Sequence, residues 1–215
     1  LMEEQKERAR TSSSFNSIIP ESLNIEGKTD FLGYESNSIS SSILEIIPSS
    51  DVNNDGELSE DEEGMILLKE TPFYAESGGQ VGDKGLIKSN GSIFDVFDTQ
   101  KKGDHFLHLG VVKSGTFKKK DPVEAEINQQ YRDRVKSNHS ATHLLHASLR
   151  TILGDHVEQK GSLVDDSRLR FDFAHNSSIE KENLDAIENL VNEEIAKDIE
   201  SLTETLPLDE AIKKG

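Results

Sequence analysis

His139 and His143 stand four residues apart in Asn138-His-Ser-Ala-Thr-His-Leu-Leu-His146, downstream of a loop reading Thr71-Pro-Phe-Tyr-Ala-Glu-Ser-Gly-Gly-Gln-Val-Gly82. On a helix, positions i and i+4 share one face at roughly 5–6 Å between Cβ atoms, so two imidazoles can reach one metal ion. His146 and Arg150 extend the same polar stripe. The competing reading is a chance pair on a solvated helix. Zinc usually takes three or four protein ligands. The other donors here are His105, His108, His156, His175 and carboxylates, because the chain has no cysteine. That absence removes thiolate ligands and disulfides alike.

Gly78-Gly-Gln80-Val-Gly82 follows a proline-containing turn. One reading is a β-turn that needs positive φ; a phosphate-binding P-loop is excluded because no Gly-Lys-Ser/Thr ending follows. Asp51-Val-Asn-Asn-Asp-Gly-Glu-Leu-Ser-Glu-Asp-Glu62 satisfies the EF-hand loop pattern, with Gly56 sixth, Leu58 eighth and Glu62 twelfth. Pro48-Ser-Ser precedes it where an entering helix belongs, and no second copy exists. A plain acidic loop is therefore preferred over a Ca2+ loop.

These residues need a scaffold. A chain of 215 residues can hold one large domain or two smaller ones, and 33% apolar content suggests ordered lobes joined by polar segments. No apolar run approaches the roughly 20 residues of a membrane span, and the start lacks a signal-peptide core, so a soluble intracellular protein is expected. The net charge of -17 opposes general attraction to nucleic acid, but it is unevenly spread. Residues 45–66 hold eight acidic and no basic side chains, whereas 101–136 hold nine Lys or Arg against five Asp or Glu. Arg150, Lys160, Arg168 and Arg170 continue the basic stretch, which reads either as solvated faces or as a local phosphate-binding surface.

Residues 3–10 read as the tail of a helix, and the Ser/Asn-rich stretches 11–17 and 36–42 as loop or linker. Short strands are predicted at 43–47, 64–68, 85–88, 92–99, 105–112 and 122–128, with Asn90-Gly91 as a hairpin turn. Many short antiparallel strands with glycine turns indicate a small β-barrel. A helix follows over 131–153 with Gly154 as its stop, then strands at 156–164 and 168–173. A second helix is predicted over 179–202, led by a Ser177-x-x-Glu180 capping box. A further helix begins at Leu208. The division expected is 1–42 as helix tail and linker, 43–128 as barrel, and 129–215 as an α+β core cut short at its C-terminal end.

The stretches Glu70–Gly85, Arg134–Leu149, His156–Val164 and Leu169–Phe173, in this order, resemble the editing domain of bacterial alanyl-tRNA synthetases and the free-standing alanyl-tRNA editing proteins. The resemblance spans about residues 64–213. It implies an α+β fold, a small antiparallel β-barrel followed by a helix-plus-antiparallel-sheet core. It also implies hydrolysis of tRNA(Ala) mischarged with serine or glycine, because an alanine pocket cannot exclude glycine and rejects an added hydroxyl only weakly.

Further expectations follow from the resemblance. His139 and His143 match the first half of the family's zinc site; the other half, a Cys-x3-His segment, has no counterpart and is expected beyond residue 215. Gln80 and Thr142 are the expected catalytic residues, Thr142 reading the serine hydroxyl. Lys160, Arg168 and Arg170 are expected to face the tRNA. The parent enzyme attaches alanine to tRNA(Ala), with ATP and Mg2+ confined to a synthetic domain outside this sequence. A cytoplasmic setting with no membrane or DNA partner is implied. The rival from another class is a non-catalytic Ca2+-binding or tRNA-docking module built on residues 51–62.

Overall fold

The computed structural model describes residues 27–49, 56–200, 204 and 206–214. The readings of residues 3–10 and 11–17 lie outside these residues, as does the first part of the EF-hand-like loop. The chain divides into two compact units, Leu1–His139 with Gly161–Phe171, and Ser140–Lys160 with Asp172–Gly215.

The first unit is built on a closed antiparallel barrel. Its strands are β2 (Ser38–Pro48), β4 (Glu63–Leu68), β6 (Gly85–Ser89), β7 (Ser92–Lys102), β8 (His105–Ser114) and β10 (Pro122–Ile127), in the order β10-β2-β4-β8-β7-β6 with β6 pairing back to β10. Closure leaves the barrel no unpaired sheet edge. Four short strands attach to it. β1 (Asp30–Phe31) runs parallel to β5 (Glu70–Thr71), and β3 (Glu57–Ser59) runs antiparallel to β9 (Thr116–Lys118). Two or three residues carry no readable alternation, so sequence does not reveal these four.

The interior is filled by inward-facing side chains, among them Ile43, Ile66, Leu68, Ile87, Phe94, Val112 and Phe117, all at most 2% exposed. On β4 the intervening residues Met65 and Leu67 are also buried, joining Ile47, Leu107 and Leu109 in a second cluster. Both faces of β4 are covered, and it therefore reads as a continuous apolar run. Asn90 and Gly91 take φ of 46° and 88°, the left-handed pair that a tight two-residue hairpin between β6 and β7 requires.

Three expectations are corrected. Residues 38–42 are not linker: Ser38–Ser42 pair with Glu126–Pro122 of β10, and the Ser41 hydroxyl accepts from the Glu70 N–H at 2.9 Å. Three consecutive serines, 40–42, separate Ile39 from Ile43 there, so the strand carries little apolar alternation. The EF-hand-like segment, expected as a plain acidic loop, contains strand β3 at Glu57–Ser59. Its Leu58 is 0% exposed in the barrel core, and Glu62 Oε2 accepts from the Ser59 N–H at 2.7 Å.

The third correction concerns the later helices. α1 (Gln129–Leu153) matches expectation, with Gly154 at φ 113° ending it. β11 (Gln159–Val164) and β12 (Leu169–Phe173) pair in a two-stranded sheet. α2 spans Lys181–Ala196; its N-cap is Glu180, with no side-chain cap hydrogen bond, so Ser177 builds no capping box. It ends early because Asp198 turns left-handed at φ 47°, and Ile199 is 73% exposed. Of its apolar stripe only Ile187 is fully buried, and Leu202 lies outside the described residues. α3 spans Leu208–Lys214. No helix among the described residues is long and apolar enough to cross a membrane.

Candidate functional site

The loop from β5 to β6 carries Gln80, and its shape follows from its residues. Its start is anchored by Thr71, whose hydroxyl lies 2.7 Å from Nε2 of the fully buried His108. His108 Nδ1 lies 2.7 Å from the Ile66 carbonyl, which can only accept, so the proton sits on Nδ1 and Nε2 accepts from Thr71. The Thr71 oxygen in turn accepts from the Phe73 N–H at 3.1 Å. Burial holds the His108 pKa down from 6.5 to about 4, against the raising effect of the Ile66 hydrogen bond.

At the tip, Ser77 and Gln80 exchange backbone hydrogen bonds of 3.1 and 3.0 Å around Gly78 and Gly79. These glycines have φ of 60° and 86°, a two-residue turn that other side chains rarely allow. Gly79 has a second reason to lack a side chain, since a Cβ there would lie 2.5 Å from the Ser162 carbonyl oxygen. Val164 of β11 closes on the tip by donating to the Gly79 carbonyl at 2.7 Å and accepting from the Val81 N–H at 3.1 Å.

Helix α1 faces this loop through residues spaced three and four apart. Asn128 caps it, its Oδ1 accepting from the Tyr131 N–H at 3.0 Å. Tyr131 and Val135 pack with Val81 and Val164. One turn further, His139 Nδ1 meets Gln80 Oε1 at 2.5 Å. A carbonyl oxygen has no proton to give, so His139 donates through Nδ1, and a neutral ring then carries its lone pair on Nε2. That is the arrangement by which an outer partner fixes the tautomer and aim of an imidazole ligand or base.

Of the residues singled out from sequence, the first unit brings Gln80 and His139 together, and Gln80 is only 7% exposed. Arg168 and Arg170 also belong to this unit. Arg168 Nε lies 3.7 Å from Asp165 Oδ2, and Arg170 is exposed. Burial opposes ionisation of Asp165, but hydrogen bonds from Ser167 and the Arg168 N–H hold its carboxyl below the usual range. Thr142, His143 and Lys160 belong to the second unit. Thr142 is buried at 7% exposure, His143 is exposed, and Lys160 Nζ pairs with Glu158 at 2.9 Å. The Lys160 hydrogen bond lowers the Glu158 pKa.

His108 is enclosed in the barrel, and His156 Nε2 and His175 Nδ1 of the second unit lie 2.8 Å from each other. Among the described residues no group of three His, Asp or Glu could hold a metal. The donor chemistry of His139 and His143, two imidazoles one turn apart on α1, fits zinc as part of a ligand set.

Sequence reasoning passed over Asp83 and Arg132. They are 2% and 8% exposed, and the Arg132 Nε lies 2.8 and 2.9 Å from the two Asp83 oxygens. Forty-nine residues separate them in sequence, so no local motif signals the pair. The basic stretch is also less positive than its count implies: Lys113, Lys118, Lys119 and Arg134 pair with Asp95, Glu57, Glu45 and Asp166.

Residues 1–131 match the family of tRNA synthetases class II (A). The chain belongs to this family. It is 47% identical over 214 residues to an alanine–tRNA ligase of Pseudomonas syringae pv. syringae, 48% to that of P. syringae pv. tomato and 44% to that of P. entomophila. Each alignment takes in 100% of this chain and 24% of the relative, so the chain spans about a quarter of the length of these curated relatives. The family match contains Gln80 and the barrel. His139, Thr142 and His143 lie past its end, within the stretch aligned to the ligases.

Proposed function

We propose that this part of an alanine-type tRNA synthetase hydrolyses the ester of tRNA(Ala) wrongly charged with serine or glycine. The observation that carries the reading is the Gln80–His139 hydrogen bond at 2.5 Å, which joins the glycine-rich loop and the histidine helix in one place. Neither motif alone identifies a hydrolase. Together they supply a buried amide that fixes a ring nitrogen next to the glycine turn, whose Gly78 has open space where a side chain would stand.

In this reading residues 43–128 form the platform and residues 129–215 the core that carries the histidines. Gln80 orients His139, and the Thr142 hydroxyl recognises the serine hydroxyl that an alanine pocket tolerates. His139 and His143 hold the Zn2+ together with other donors, and when bound the ion supplies a Lewis acid for the attacking water or the ester carbonyl. Lys160, Arg168 and Arg170 meet the phosphates of the tRNA acceptor end, Lys160 and Arg168 trading Glu158 and Asp165 for phosphate. Alanine attachment with ATP and Mg2+, in the cytoplasm, is the companion activity.

The test is deacylation of Ser-tRNA(Ala) and Gly-tRNA(Ala) with and without zinc. Gln80→Ala and His139→Ala should each lower turnover about 100-fold, the scale of losing a positioned catalytic group. Unchanged turnover in both variants would sink the reading.

A further inference from the structure

We propose that Asp83 and Arg132 are positioning residues, a buried clamp that sets the distance between Gln80 and His139; this rests on the deacylase reading above. Arg132 uses every nitrogen of its guanidinium. Nε meets both Asp83 oxygens, Nη1 donates to the Gly33 carbonyl at 3.0 Å, and Nη2 donates to the Pro72 carbonyl at 2.9 Å and also to Asp83 Oδ2. Pro72 directly follows β5 at the start of the Gln80 loop, and Asp83 stands two residues before β6 at its end. One planar group therefore ties both legs of the loop to α1.

The helix end of the clamp is aimed at the same place. Arg132 and His139 are seven residues apart, two helical turns, on the face that also carries Val135. The neighbouring residues strengthen the tie. Lys84 Nζ lies 4.8 Å from the Tyr131 ring centroid, and the Asn128 N–H donates to the Lys84 carbonyl at 2.7 Å. On the loop side, Asp83 Oδ2 accepts from the Tyr74 N–H at 2.7 Å and the Asp83 carbonyl accepts from the Thr99 hydroxyl at 2.9 Å. Gln80 is three residues from Asp83, so a shift at the clamp reaches its amide directly.

A buried ion pair is poor evidence of a role in stability, because apolar replacements of such pairs are often neutral or better. What an arginine fork adds is direction: five donors in a fixed plane, which a lysine cannot reproduce. The pair is thus placed and shaped to hold geometry.

The experiment compares Arg132→Lys and Asp83→Asn with the unmodified full-length protein, labelled with 15N at histidine. Two quantities are read: the His139 ring nitrogen signals, and kcat and KM for Ser-tRNA(Ala) deacylation. The clamp predicts loss of the hydrogen-bonded Nδ1–H signal and a kcat about 100-fold lower, with KM changed less than about twofold. Folded variants that keep the His139 signal, or that raise KM at unchanged kcat, overturn it. So does failure of both to fold in the cold, since the pair would then serve the fold alone. If the unmodified protein shows no deacylation, the functional reading fails, and the ring signals still decide whether Asp83 and Arg132 hold His139.

Discussion

Acid should destabilise the barrel through His108 before most carboxylates titrate. The ring is fully buried, donates to Ile66 and accepts from Thr71, and it has no room to gain a charge. Burial lowers its pKa from 6.5 to about 4. The unfolded chain therefore takes up a proton near pH 6.5 that the fold refuses until near pH 4. The stabilisation is complete above the unfolded value and is lost as pH falls towards the folded one. Between about pH 7.5 and pH 5 the loss is roughly 2 kcal/mol, with a slope approaching about 1.4 kcal/mol per pH unit. Urea unfolding followed by far-UV circular dichroism measures it, the chain having no tryptophan to report by fluorescence. His108→Gln, whose amide does not titrate, is the control that cancels the other histidines. The native protein should lose about 2 kcal/mol more than the variant over this interval. Equal pH dependence in the two would refute the reasoning. A protonated Nε2 also cannot accept from Thr71, so the same acidification should loosen the base of the Gln80 loop.

Three further perturbations test the scaffold. Leu58→Ala should cost about 2–5 kcal/mol in denaturant unfolding, because its side chain fills the barrel interior from β3; a cost under about 1 kcal/mol would remove this segment from the core. Gly79→Ala should strain the turn by about 1–3 kcal/mol, through its φ of 86° and a Cβ 2.5 Å from the Ser162 oxygen. Faster hydrogen exchange at the Val164 N–H would report it, and unchanged protection would show that the turn is not pinned to β11. Glu62→Ala should cost about 1 kcal/mol, the worth of its bond to the Ser59 N–H, equally with Ca2+ or a chelator. A cost that appears only with Ca2+ would revive the calcium-loop reading.

The barrel was legible where its strands alternate or are bounded by turn residues, as in 92–99 after Asn90-Gly91. It was legible too in β4, whose burial on both faces leaves a continuous apolar run, and illegible where neither face is deeply buried. Residues 38–42 show this: serine is small enough for a sheet, so pairing with β10 decides, and pairing is not local. Helix α2 shows a different limit. A stripe at helical spacing was read on to Leu202, but the helix stops at Ala196 where Asp198 takes a left-handed turn, and neither Lys197 nor Asp198 is a residue whose sequence announces a stop.

The candidate site divides along the same line. His139 and the two glycines of the turn could be picked out because an i,i+4 histidine pair or a Gly-Gly step is visible within a few residues, whereas Gln80 was singled out only through the family resemblance. Asp83 and Arg132 are ordinary residues in ordinary contexts, one after a glycine and one near a helix start. Their meaning exists only once the chain has closed a separation of forty-nine residues and removed both from water. Desolvation is what turns them from surface charges into a fork that must be satisfied on every donor. Groups that do chemistry can thus announce themselves locally, whereas the groups that aim them are recognisable only by burial. It follows that the tolerance of this site to substitution should be set less by Gln80's neighbours in sequence than by the four carbonyl and carboxylate oxygens around the Arg132 guanidinium.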